Sequence, residues 1–216
     1  MKYIFIIITV SAVLACRENK KSPETQHRLP FYNTADFTPQ WIDPSSAEYK
    51  NIHTIPAFSF TDQNNETVTD KNFSNKIYVA DFFFTACPGI CKKLTTNLTM
   101  VQKEFVNDSN VLLLSHSVTP EADDPKKLKQ YADNFGAINH KWFLVTGERD
   151  QIYSIARTAY FADEDLGEKK SSNDFLHTEN MLLIDTHKRI RGVYKGTSEL
   201  QIKNLIDDIK ILELEK

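Results

Sequence analysis

An α/β fold, with a central mixed β-sheet flanked by helices and a β-hairpin ahead of it, follows from three features of the sequence. Apolar runs of strand length alternate with helically spaced apolar residues between positions 77 and 160. One run, residues 77–84 (IYVADFFF), is almost continuously apolar and rich in β-branched and aromatic side chains. Two pairs of short strand-like runs, one early and one late, each flank a four-residue polar turn.

The elements follow in order. Residues 57–61 and 66–69 flank Asp62-Gln63-Asn64-Asn65, a hairpin signal in which Asn tolerates positive φ. Residues 77–84 read as a central strand buried on both faces. Leu94, Leu98, Val101 and Phe105 recur at helical spacing behind the cysteines, and residues 111–118 form the next strand. Asp124-Pro125 opens a helix with an acidic cap and Pro at its first position, and Leu128, Tyr131, Ala132 and Phe135 make its apolar face. A short strand at 142–145 and a helix marked by Ile152, Ile155, Ala156 and Ala159 come next. Residues 181–185 and 190–194 flank Thr186-His187-Lys188-Arg189 as a second hairpin. Ser198-Glu199-Leu200-Gln201 is a capping box, and Ile202, Leu205, Ile206 and Ile209 make the last helix amphipathic. Strand–helix alternation implies parallel pairing, while the late hairpin adds antiparallel strands. No internal repeat is present.

The 216 residues suffice for one domain and a tail. A net charge of −3 gives no support for nucleic acid as a partner. Three cysteines are too few for a disulfide-built scaffold, so the apolar core must stabilise the fold. They divide into Cys16, alone, and the pair Cys87 and Cys91.

Residues 1–16 read MKYIFIIITVSAVLAC: a basic Lys2, twelve apolar-rich residues, then a small Ala15 before a cysteine. That segment is too short for a resident membrane span and suits a secretory signal. The ending Val13-Leu14-Ala15-Cys16 resembles a bacterial lipobox, which implies lipidation of Cys16 and an extracytoplasmic, membrane-anchored lipoprotein at the periplasmic face. Removal of residues 1–15 takes away one Lys, leaving 25 basic and 29 acidic residues and a net charge of −4. Residues 16–50 are then a tether and N-terminal extension, and residues 51–214 the folded domain. Residues 17–29 are polar and aperiodic. Phe31, Tyr32, Phe37 and Trp41 are too many aromatics to leave in solvent, and they are expected to pack on the domain's flank.

TACPGIC stands between the buried strand and the following helix, at the strand end where open α/β sheets place their sites. Pro88 biases Cys87 away from helical geometry, towards an N-cap, and fits the first helical position itself. Cys91 then falls in the opening turn, where the helix dipole favours thiolate. Residues four apart on a helix hold their Cβ atoms about 5–6 Å apart. A relaxed disulfide wants about 3.5–4.5 Å. A disulfide here is therefore labile, whereas a metal ion accepts the wider span. Two thiolates select Cu(I), zinc or iron–sulfur chemistry, and copper makes the smallest demand for further ligands. Two inert buried cysteines fit this strand–helix junction poorly. Among the six histidines, His116 near a strand end and His177 ahead of the strand at 181 are candidates for completing the site, and spacing alone does not choose between them.

The segments FFFTACPGIC, SVTPEADDPKKLKQYADNFG, WFLVTG and DFLHTENMLLID, in that order, resemble the Sco/SenC family. The resemblance implies a thioredoxin-like fold and a copper chaperone for the dinuclear copper centre of cytochrome c oxidase. It implies Cys87, Cys91 and His177 as copper ligands. Two departures stand out: Lys92 replaces the usual Pro after the second cysteine, and Thr119 stands where the family has Asp. Asp81 interrupts the central strand six residues before Cys87, the offset at which thioredoxins carry a buried acid. If buried, it is a candidate proton acceptor for the redox-active pair Cys87 and Cys91. The expected partners are the copper-bearing subunit of cytochrome c oxidase or another cuproprotein, a thiol–disulfide redox partner, and the membrane. The competing readings are a thiol–disulfide oxidoreductase and a peroxiredoxin-like peroxidase with Cys87 as attacking thiolate.

Overall fold

A computed structural model describes residues 28–162 and 178–215. Its strands are β1 (Ser59–Asp62), β2 (Thr67–Thr69), β3 (Ile77–Phe83), β4 (Val111–Ser117), β5 (Trp142–Thr146), β6 (Asn180–Ile184) and β7 (Ile190–Lys195). The helices are α1 (Ile90–Glu104), α2 (Pro125–Phe135), α3 (Arg149–Thr158) and α4 (Glu199–Leu214). The strands form one sheet of order β2-β1-β5-β4-β3-β6-β7. β3 pairs parallel with β4 and antiparallel with β6, and β4 pairs parallel with β5. The mixed sheet expected from the strand–helix alternation is therefore present, with both hairpins antiparallel.

Side-chain alternation along β3 divides the core into two layers. Ile77, Val79 and Phe83 pack with α1, α2 and α4 through Leu98, Leu128 and Leu205. Tyr78, Ala80 and Phe82 face the other layer, where Ile152 and Ala156 of α3 close over Phe73 and Phe143. Every residue of β3 is buried, which accounts for its apolar run on both faces, broken only at Asp81.

Local chemistry sets the boundaries. Asn65 takes φ 62° in the first turn, as its place between two strands expects. Asp124 accepts the Lys127 N–H at 2.7 Å and Pro125 occupies the first turn of α2. Gly136 ends that helix at φ 66°, a conformation open to glycine. Ser198 caps α4 through the Gln201 N–H. Gln63 is buried because its side-chain amide stands in for a strand, donating to Trp142 O and accepting from Leu144 N, both at 2.8 Å.

The N-terminal extension docks on the β7 edge. Arg191, buried beneath it, donates to Leu29 O at 2.7 Å and Glu215 Oε2 at 2.6 Å, and its guanidinium lies 4.2 Å from the Phe31 ring centre. Phe31, Tyr32 and Phe37 pack as expected. Trp41 does not: it is 63% exposed and lines a cavity of about 530 Å³. Among the described residues no helix is long and apolar enough to cross a membrane.

Candidate metal centre

The buried strand β3 delivers the chain to residues 84–89, and α1 carries it away. One expectation fails here. Pro88 is not the first helical residue, and Cys87 is not the cap: α1 begins at Ile90, with Gly89 as its N-cap. The reason lies in the backbone, since the Cys87 N–H closes a turn onto Phe84 O at 3.3 Å before the helix can start. Cys91 still lies in the opening turn of α1. The two thiols remain near the positive end of the helix, as the motif implied.

Both cysteines are free and nearly buried, 8% and 4% exposed, on the layer that contains Phe83, Leu94 and Tyr131. The two thiols interact, and the interaction splits the pair. Burial works against ionising Cys87. The Cys91 thiol and the backbone N–H groups of Cys91, Gly89 and Ile90 outweigh it and bring Cys87 below the ordinary thiol value. Burial, then the interaction with Cys87, pushes Cys91 up to about 12. Cys87 is thus the thiol that ionises first, and Cys91 holds its proton.

Asp81 lies under this arrangement, on the same face of β3 as Val79 and Phe83, and it is 1% exposed. Ser115 Oγ donates to its Oδ1 at 2.5 Å, and Trp142 Nε1 donates to Ser115 Oγ at 2.9 Å. Desolvation raises its pKa to about 7, against the Ser115 hydrogen bond that lowers it. Its charge also disfavours the Cys91 thiolate. The buried orientation, rather than a solvent-facing one, is what the chain adopts.

The candidate histidines separate. His116 is fully buried in the opposite layer, stacked on Phe82 at 4.8 Å and edge-on to Phe60 at 5.7 Å. It faces away from the thiols because His116 and Phe82 are register partners on parallel strands. Its Nδ1 lies 3.4 Å from Asp81 O, while Nε2 is buried without a partner. Burial lowers its pKa to about 4, so it is neutral at pH 7. The folded pKa lies below the unfolded value near ~6.5, so stability is present above ~6.5 and drains away as pH falls towards 4. His116→Leu is therefore expected to remove that acid sensitivity, gaining roughly 3 kcal/mol over the native protein near pH 4 and little at pH 8. Urea unfolding at the two pH values measures it, and copper binding should be unaffected.

His177 and Cys16 lie outside the described residues. The described chain resumes at Thr178, just ahead of β6. Because β6 runs antiparallel to β3, the start of β6 lies at the sheet end where β3 delivers Cys87. Among the described residues no three His, Cys, Asp or Glu side chains cluster so as to hold a metal. The described donor set is the two thiols.

Sequence reasoning overlooked Thr85 and Asp123, which join the thiol segment to the β4–α2 connection. The doubled acid Asp123-Asp124 was the available signal, since one carboxylate suffices to cap α2.

Comparison with known proteins matches the SCO1/SenC family model to residues 46–212. A SCO1/SenC family lipoprotein from Bacillus anthracis has a similar structure, with a TM-score of 0.65 and 28% identity over 74% of this chain and 95% of that one. BsSco, described as a member of the Sco family of cytochrome c oxidase assembly proteins with a disulfide switch, gives a TM-score of 0.63 and 26% identity over 76% and 96%. ScoI of Bradyrhizobium japonicum with copper bound shares the fold at a TM-score of 0.59 and 24% identity, over 74% and 99%.

Proposed function

The chain belongs to the SCO1/SenC family, and from that premise we propose that it binds one copper ion through Cys87, Cys91 and His177 and serves cytochrome c oxidase assembly. In that role it delivers copper to, or keeps reduced the cysteines of, the dinuclear copper site of the oxidase or a related cuproprotein. The observation that carries this reading is the pair of free, nearly buried thiols where β3 meets α1. Two soft sulfurs at a strand–helix junction fit Cu(I), and the imidazole of His177 would complete a three-coordinate set. The copper-bound relative supports the metal, and the family of oxidase assembly proteins supports the client.

A second reading, thiol–disulfide exchange, has its own support in the unequal thiols. Cys87, with its lowered pKa, is the attacking sulfur, and Cys91, near the buried Asp81, resolves the mixed disulfide. Titrating the reduced domain with Cu(I) and following reduction of a model disulfide by the metal-free form separates the two. Tight 1:1 binding with slow turnover supports copper handling; rapid turnover without copper binding sinks it.

The lipobox-like ending of the leader, and a lipoprotein among the relatives, support a lipid-anchored protein facing the periplasm. Mass spectrometry of the native N-terminus is expected to find diacylglycerol on Cys16. An unmodified mature start elsewhere would refute the anchor.

A further inference from the structure

Asp123 sits in the connection between β4 and α2 with its side chain fully buried, yet it is not the cap of α2, which is Asp124. It gathers donors from two directions. From the thiol segment, Thr85 gives its hydroxyl to Oδ1 at 2.5 Å and its backbone N–H to Oδ2 at 3.1 Å. From its own connection, Ser117 Oγ donates to Oδ2 at 2.7 Å and Thr119 Oγ1 at 3.0 Å. Lys127 Nζ stands 3.5 Å from Oδ1. Thr119, which departs from the family's usual acid, here supplies a donor to a carboxylate rather than a second charge.

This clamp lies two residues before Cys87. Between it and α1 the segment is largely exposed at Ala86, Pro88 and Gly89, while Cys87 is nearly buried and its N–H is bonded to Phe84 O. Cys91 is fixed in α1. A disulfide demands its own arrangement of the two side chains, and with Cys91 set in α1 any adjustment falls to the Cys87 segment, which is leashed at Thr85.

We propose that Asp123 is the positioning residue of the thiol pair: through Thr85 it holds Cys87 in the dithiol arrangement and opposes closure to the disulfide. This rests on the reading of Cys87 and Cys91 as the working site. The step concerned is oxidation by glutathione disulfide: the two thiols lose two electrons and two protons, the sulfurs join, and two glutathione thiols are released.

Two hydroxyl-to-methyl substitutions on the same carboxylate make the test. Thr85→Val cuts the tie to the thiol segment, while Thr119→Val cuts a tie on the far side and serves as the matched control. The oxidation equilibrium of each soluble domain is measured in glutathione buffers by mass spectrometry of alkylated protein, with thermal midpoints recorded alongside. Thr85→Val is expected to favour the disulfide about tenfold, the effect of losing one hydrogen bond to a charged group. Thr119→Val should move it less than about twofold while lowering the midpoint comparably. Equal shifts in both variants, no shift in Thr85→Val, or a shift towards the dithiol would overturn the proposal. A native pair that neither binds copper nor equilibrates with glutathione would instead sink the reading beneath it, and the clamp's role with it.

Discussion

Cys91→Ser is expected to lower Cu(I) affinity by more than about 100-fold, beyond the ~10–100-fold loss typical when only a ligand's supporting partner is removed. The substitution changes one buried atom in the opening turn of α1 and leaves the surrounding packing of Leu94, Phe83 and Tyr131 in place. What it removes is chemical. A hydroxyl is a hard, neutral donor at neutral pH, and Cu(I) prefers thiolate. Metal binding must also release the proton that Cys91 retains up to about 12, so the native ion overcomes a real cost there, and only a sulfur ligand repays it. Competition with a chromogenic Cu(I) chelator reads the change. The same variant cannot close the internal disulfide, and thiol–disulfide exchange is expected to stop at the mixed disulfide on Cys87.

Asp81→Asn is expected to act on stability and proton transfer instead. The folded pKa of Asp81, near 7, lies above the unfolded value of about 3.9. The protonated form therefore suits the fold, and the native protein loses stability as pH rises from about 4 through 7, with the loss complete above that. An amide does not ionise and escapes the loss. The mutant's advantage should be near zero at pH 4 and on the order of 3 kcal/mol at pH 8. Denaturant unfolding at both pH values tests this. An advantage that does not grow with pH would mean that Asp81 is solvated or paired with a charge. Disulfide reduction should slow by about 100-fold, the low end for a positioned acid–base group, while Cu(I) affinity stays nearly unchanged.

Much of this architecture is legible in the sequence, because its signals are local. The apolar run of β3, the Asp124-Pro125 start of α2 and the turn around Asn65 each depend on a few neighbouring residues, and each appears where expected. The site was legible to the extent that it too is local: a strand end, two thiols and a helix start. The helix boundary was misjudged at Pro88 because a turn from Phe84 to Cys87, closed by a single backbone hydrogen bond, competes with helix initiation. Trp41 was misjudged because an aromatic's burial depends on where the extension crosses the β7 edge, which no periodicity encodes. His116 and His177 could not be ranked by spacing. Strand register decides that His116 faces Phe82 and the opposite layer, and register is a property of pairing between distant segments. The clamp at Asp123 leaves only its doubled acid as a signal for the same reason: its partner Thr85 is 38 residues away.

The central claim is that one copper ion is held by Cys87, Cys91 and His177. X-ray absorption of the Cu(I)-loaded soluble domain, compared with the same domain carrying His177→Ala and His116→Leu, addresses it most directly. The account predicts two sulfur scatterers and one nitrogen in the native protein, loss of the nitrogen in His177→Ala, and an unaltered spectrum in His116→Leu. A native spectrum without two sulfurs, or a nitrogen that survives His177→Ala and vanishes in His116→Leu, would contradict it.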